Sequence, residues 1–190
     1  MYEYLSGKLT SLTPATAVID CGGVGYLTEI TLNTYSAIQE KQEVQLWIHE
    51  VIREDAYLLY GFFTEAEREM FRLLIGVNGV GAATARMMLS SLSVKELGDA
   101  IASQDAKMVQ RVKGVGAKTA QRIVLELQDK VSALGAESGK APAAMSQSKE
   151  EALGALVMLG FPKAAADKVL QSLDGSLTVE ELIKEALKRI

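Results

Sequence analysis

The tripeptide Gly-Val-Gly occurs twice, at Gly79-Val80-Gly81 and at Gly114-Val115-Gly116, thirty-five residues apart. At that offset Val77 aligns with Val112, Ala82 with Ala117, Thr84 with Thr119 and Ala85 with Ala120. A self-match of this period marks one supersecondary unit used twice. In each copy a helix ends at Leu73-Leu74-Ile75 or Val109 to Val112, the glycines reverse the chain, and a second helix opens at Ala82 or Ala117. Glycine serves two ends there: it reaches positive φ, and it lets a ligand approach bare backbone. The unpaired N–H groups at the start of the second helix, together with its dipole, favour an anion.

Contacts of that kind hold phosphate and read no base, so they point to sequence-independent nucleic-acid binding. The candidate phosphate-binding residues are Gly79, Val80, Gly81, Ala82 and Arg86 in the first copy, and Gly114, Val115, Gly116, Ala117, Lys118, Thr119 and Arg122 in the second. One Gly-x-Gly alone would be an ordinary turn; duplication carries the reading. Helices rather than a strand precede the glycines, which argues against a dinucleotide fold. No Gly-x-x-x-x-Gly-Lys-Ser/Thr is present, so no phosphate-binding loop of the nucleotide-hydrolysing type is expected.

The chain of 190 residues is acidic overall, with net charge −4, which taken alone argues against DNA binding. The charge is unevenly placed. Residues 1–63 carry three basic and eight acidic groups, whereas 64–132 carry ten and eight. Between Ala106 and Leu125 stand Lys107, Arg111, Lys113, Lys118 and Arg122 with no acid among them. The positive stretch surrounds the second duplicated turn.

Composition also divides the chain. Residues 1–63 alternate as short strands, at Tyr2/Tyr4, Ala17/Ile19, Val24/Tyr26, Val44/Leu46/Ile48 and Leu58/Tyr60/Phe62, which predicts a small antiparallel barrel of the oligonucleotide-binding type. With an acidic segment, its tyrosines and Trp47 are expected to pack the barrel rather than stack bases. Residues 64–132 form the tandem helix-hairpin-helix domain, 133–147 read as a flexible linker rich in Ala, Ser, Gly and Pro, and 148–190 read as three short helices. Thr64/Glu67, Ser93/Glu96, Ser148/Glu151 and Thr178/Glu181 each fit a capping box at a helix start. The turn Gly160-Phe161-Pro162 is similar to that of ubiquitin-associated domains. The expected class is thus α+β multidomain: an OB-like barrel, an all-α tandem hairpin domain and a UBA-like three-helix bundle. A single cysteine, Cys21, excludes an internal disulfide. The absence of a long apolar run or signal-peptide pattern leads to the expectation of a cytoplasmic protein without membrane attachment.

This order of domains resembles the RuvA family of Holliday-junction-binding subunits. The resemblance rests on Arg53-Glu54-Asp55-Ala56 with Leu58-Leu59-Tyr60-Gly61-Phe62, on Asn78-Gly79-Val80-Gly81, and on Lys113-Gly114-Val115-Gly116-Ala117-Lys118-Thr119-Ala120. It implies a homotetramer, with two tetramers on one junction as an option, that holds a four-way DNA junction open and flat. It implies no cofactor and no catalytic residue. It implies that Glu54 and Asp55 form an acidic pin at the junction centre, and that the third domain binds the RuvB ATPase motor, with the RuvC resolvase in a larger complex. Met158, Leu159, Leu170, Leu182 and Ile183 are the candidate motor-facing residues, although helical spacing equally suits them to the bundle core. One departure is Ala83, which stands where the second copy has Lys118.

Two other readings remain at this stage. A helix-hairpin-helix glycosylase needs a catalytic Asp in a base-flipping pocket; Asp129 and Glu126 are the acids of the following helix, and Asp129 lies too close to the hairpin. A nuclease needs clustered carboxylates for metals, and no dense Asp/Glu motif stands out. A protein-interaction adaptor would use the hairpins for packing only and would show little DNA binding.

Overall fold

The computed structural model describes residues 1–137, 144–174 and 177–189. The chain divides into two compact units, Met1–Ser138 and Gly139–Ile190. The first begins with strands β1 (Tyr4–Leu12), β2 (Thr16–Cys21) and β3 (Val24–Ile30), helix α1 (Leu32–Ile38), and strands β4 (Glu43–Ile52) and β5 (Tyr57–Phe62). It continues through helices α2 (Glu65–Ile75), α3 (Ala82–Ser91), α4 (Val94–Ala102), α5 (Ala106–Gln110) and α6 (Ala117–Glu137). The second unit holds α7 (Ala144–Met158), α8 (Lys163–Gln171) and α9 (Val179–Leu187).

The five strands close into a barrel in the order β1-β2-β3-β5-β4, with all pairs antiparallel except β3 and β5. The period-two pattern places Leu5, Ala17, Ile19, Val44, Leu46 and Ile48 inside it. Helix α1, which the strand pattern did not announce, bridges β3 and β4; Thr31 caps it by accepting the Thr34 N–H at 3.0 Å.

The alternation Leu58/Tyr60/Phe62 does mark a buried face, but that face looks away from the barrel centre. Leu59 fills the barrel, while Tyr60 and Phe62 pack on Phe71 of α2 with ring centroids 5.1 and 4.9 Å away. Trp47 likewise packs against the helical core, and Tyr4 is exposed, so these two aromatics do not fill the barrel as expected. One apolar core therefore runs from the outer face of β4 and β5 into α2, α3, α4 and α6.

Polar contacts reinforce this junction. The buried Arg68 of α2 donates to Glu3 Oε1 at 2.6 Å and to the Glu3 carbonyl at 3.1 Å, and its guanidinium lies 4.8 Å from the Trp47 ring centre. Asn33 of α1 donates to the carbonyls of Leu89 (2.6 Å) and Leu92 (3.2 Å), capping the C-terminal end of α3 from outside.

The capping boxes at Ser93/Glu96 and Thr178/Glu181 form as expected, each with both reciprocal bonds. At Thr64 only half forms: the hydroxyl accepts the Glu67 N–H, but the carboxylate turns elsewhere. Ser148 starts no helix. Helix α7 begins four residues earlier at Ala144, because Ala144 and Met145 are themselves strong helix formers. Helix α6 similarly runs to Glu137, where Ala133, Leu134 and Ala136 outweigh Gly135. Of the expected linker, residues 138–143 lie outside the described residues.

In the second unit Ala152, Leu156, Ala166, Leu170, Leu173, Leu182 and Ala186 form the core of the three-helix bundle. Among the described residues no helix is long and apolar enough to cross a membrane.

Candidate nucleic-acid interface

The two duplicated turns have matching geometry. Gly79 and Gly114 take φ of 92° and 90°, a region open in practice to glycine. Val80 N–H donates to the Val77 carbonyl at 3.0 Å, and Val115 N–H to the Val112 carbonyl at 3.1 Å. Both valine side chains are buried. Each helix then starts on the second glycine, whose carbonyl accepts from Ala85 or Ala120 at 2.9 Å.

These bonds occupy two of the backbone donors expected to meet phosphate. The N–H groups of Val80 and Val115 are engaged inside the turn, and their side chains anchor it to the core. They are not free to meet a phosphate. At Gly81 the cap makes no side-chain hydrogen bond, so the N–H groups that open α3 have no side-chain oxygen of the cap to satisfy them.

The second glycine of each copy is informative for a different reason. Gly81 has φ −86°, which any residue adopts. A Cβ built at Gly81 or Gly116 would meet no heavy atom of the chain within 4 Å. Neither backbone strain nor internal packing requires glycine at these two places. What a side chain would obstruct there is an approach from outside, onto the helix N-terminus.

The structure also brings the two turns together. A Cβ at Gly79 would lie 3.9 Å from Thr119 Oγ1, so the first turn sits against the opening turn of α6. Around the second turn Lys107, Arg111, Lys113, Lys118 and Arg122 are all exposed and form no ion pair among the described residues.

The first turn lacks this company. At the places of Lys118 and Arg122 it has Ala83 and Met87, both exposed. Arg86, expected to substitute, points to the barrel: it pairs with Glu29 at 3.0 Å and donates to the Ala15 carbonyl at 3.3 Å. The reason is proximity of opposite charge on β3; the same Glu29 also bonds the buried Tyr60 hydroxyl, whose pKa is raised chiefly by burial and then by Glu29. The first copy thus presents backbone donors and the second presents backbone donors with cations.

Glu54 and Asp55 are exposed at the tip of the β4–β5 hairpin, in a turn closed by Arg53 N–H to the Ala56 carbonyl at 2.8 Å. Among the described residues no group of three His, Cys, Asp or Glu is placed to hold a metal.

The candidate motor-facing residues separate into two sets. Met158 (91% exposed) and Leu159 (62%) stand on the surface at the end of α7. Leu170 and Leu182 are buried in the bundle core and Ile183 packs against it, so the first two have no surface to offer a partner. Helical spacing alone could not tell a core leucine from an interface leucine. The contacts of Glu29 with Arg86 and of Asn33 with the end of α3 carried no sequence signal, because the partners are distant in the chain.

Comparison with known proteins agrees with this arrangement. The model of the RuvA N-terminal domain matches residues 1–61, that of a SAM-like helix-hairpin-helix tandem matches 71–129, and that of the RuvA C-terminal domain matches 147–190. The Holliday junction branch migration complex subunit RuvA of Bacteroides thetaiotaomicron is 50% identical over 201 residues, covering all of both chains. The proteins of that name from Christiangramia forsetii and Porphyromonas gingivalis are 46% and 45% identical, again over the whole of each chain. Identity of this extent, joined to a barrel, a duplicated glycine turn and a three-helix bundle in the same order, establishes that the chain belongs to the RuvA family.

Proposed function

We propose that this chain is the junction-binding subunit of a Holliday junction branch migration complex, acting in recombination and repair without catalysing a reaction itself. The observation that carries the reading is the pair of matched turns, adjacent to one another, each with a glycine at its helix cap that leaves the N-terminus open to a ligand from outside. Two phosphate sites fixed side by side suit a duplex arm held by its backbone, with no base read.

The finer parts of the proposal follow from the placement of charge. Four copies about a fourfold axis would gather eight carboxylates from Glu54 and Asp55 at the crossover. A carboxylate and a phosphate about 6 Å apart repel by roughly 0.7 kcal/mol in water and by more where water is excluded. Several such pairs disfavour a duplex running through the centre and favour strands that part and turn outward. The exposed Met158 and Leu159 give the third domain an apolar contact for the RuvB motor, and the RuvC resolvase would join the same assembly. One tetramer or two would serve on each junction. The place of action is the cytoplasm, where the chromosome is.

The test is competition binding of the purified protein, at near-physiological salt, between an immobile four-way junction and a linear duplex of the same sequences. A strong preference for the junction is expected, with log K falling against log salt by about 0.9 per phosphate neutralised. Equal affinity for both would reduce the protein to a generic duplex binder. Binding to neither would overturn the reading in favour of an adaptor.

A further inference from the structure

Three Ser/Thr-x-x-Glu boxes are described in full, and they do not behave alike. At Ser93/Glu96 and Thr178/Glu181 the carboxylate closes on its own cap. Glu67 instead reaches across to α1, where Thr31 Oγ1 donates to Oε1 at 2.5 Å and Thr34 Oγ1 to Oε2 at 2.7 Å. Glu67 is 4% exposed and both threonines are fully buried. Thr34 Oγ1 in turn accepts the Phe63 N–H at 3.0 Å, and Phe63 is the residue that follows β5.

A carboxylate withdrawn from water and from its own helix cap, with neutral donors in place of a cation, is an expensive way to join two elements. Its position explains what it secures. Residues 63 and 64 are the whole connection between β5 and α2. At the far end of the β4–β5 hairpin stand Glu54 and Asp55; at the far end of α2 begins the first glycine turn. The network of Thr31, Thr34, Phe63 and Glu67 sits at the corner between these two arms.

Magnitudes show how much that corner matters. At about 1.5 Å of rise per residue, the eleven residues of α2 carry the turn roughly 16 Å away, so a tilt of about 10° at the corner moves it by roughly 3 Å. That is a whole donor–phosphate distance, about 2.9 Å. A duplex arm needs the two glycine turns alone, which share one helical core. A junction needs those turns and the acidic tip in a fixed mutual geometry.

We propose that Glu67 is a positioning residue for junction selectivity: by bonding Thr31 and Thr34 it fixes the angle between the hairpin bearing Glu54 and Asp55 and the helix leading to the first phosphate turn. It touches no DNA. The proposal rests on the reading of the chain as a junction binder.

The experiment compares the full-length protein with Glu67→Ala and Glu67→Gln, measuring affinity for an immobile four-way junction and for a linear duplex of the same sequences, alongside thermal unfolding. Glu67→Ala should cut the junction-to-duplex preference by about tenfold, a coupling of ordinary size, with duplex affinity unchanged. Glu67→Gln, which keeps a planar acceptor of the same length, should restore most of the preference. A general loss of stability would lower both affinities in parallel, and that result overturns the proposal, as does a wild-type preference in Glu67→Ala. If Glu67→Ala does not fold, Thr34→Val decides instead, because it removes one donor at nearly constant volume; an unchanged preference there overturns the proposal equally. A wild-type protein that shows no preference for the junction would instead refute the underlying reading, a result distinct from all of these.

Discussion

The Arg86 guanidinium lies 3.0 Å from the Glu29 carboxylate, joining the first residues of the duplicated unit to the third strand of the barrel. The pair is only about one-quarter to one-third exposed. It gives the sole cation of α3 a partner within the protein.

The salt dependence of binding should reveal that assignment. Lys118→Ala removes a cation standing beside a phosphate turn and should lower the slope of log K against log salt by about 1. Arg86→Ala should leave the slope unchanged and cost about 1 kcal/mol of stability instead, as a partly exposed ion pair does. Binding isotherms at four or more salt concentrations, with urea unfolding of each variant, distinguish the two roles. A reduced slope in Arg86→Ala would return that residue to the DNA surface.

The two glycines of one turn should respond to alanine for different reasons and by different amounts. Gly79→Ala places a Cβ at φ 92° and should destabilise the protein by about 1–3 kcal/mol. Gly81→Ala and Gly116→Ala meet open space and no left-handed φ, so they should cost only the loss of a favourable cap residue, about 1 kcal/mol or less. Their DNA affinity should nonetheless fall, because the methyl stands where a phosphate approaches. Thermal unfolding and duplex binding on the same samples check this; full affinity in both cap variants would mean that no phosphate comes that close.

In the third domain, burial separates fold from partner. Leu182→Ala empties a fully buried site and should cost about 2–5 kcal/mol, enough to unfold a bundle of this size. Met158→Glu, on a residue 91% exposed, should leave the helical circular dichroism of the protein intact and weaken binding of the ATPase. Retained ATPase binding in Met158→Glu would place the contact elsewhere on the bundle.

Acidity gives a fourth test. Burial raises the Glu67 pKa above its ordinary 4.5, against the opposing hydrogen bonds of Thr31 and Thr34. The folded state therefore holds its proton more tightly than the unfolded chain. The associated stability is fully present below the unfolded pKa and is lost as pH rises through the folded value. Wild type should lose stability relative to Glu67→Gln as pH climbs from about 4.5 toward neutrality. Glu96 and Glu181, held low by their caps, and His49, lowered by burial and by Arg72 and Arg68, are common to both proteins and cancel in the difference. Parallel curves for the two proteins would show that Glu67 is already ionised throughout.

What the sequence disclosed follows from the range of the forces involved. Turn chemistry and helix caps are local, so Gly79, Gly114, Ser93 and Thr178 were legible by inspection. Period-two burial located Val44, Leu46 and Ile48. Tyr60 and Trp47, expected to pack the barrel, pack on the helices instead, because alternation reveals that a face is buried and not what buries it. The second half of the Thr64/Glu67 box was misread, and the neighbours of Arg86 were missed, for a related reason. Each residue fits a local motif, and each is drawn off by a partner many residues away, Glu29 in one case and the α1 threonines in the other. Leu182 and Met158 differ only in which side of a helix they occupy, which a short bundle does not fix from spacing alone.

The continuous core across β5 and α2 bears on how the chain may be cut. The family models describe residues 1–61 and resume at 71, leaving a gap between two recognised modules. Phe62, Thr64, Glu67 and Arg68 all fall in that gap, and they are the residues that weld barrel to helices. A module ending at 61 would expose the Tyr60 ring and one beginning at 71 the Phe71 ring, and both would lack the Phe62, Glu67 and Arg68 contacts between them. Excised modules should therefore be poorly soluble, and the smallest piece that can be transplanted intact is the whole of the first unit.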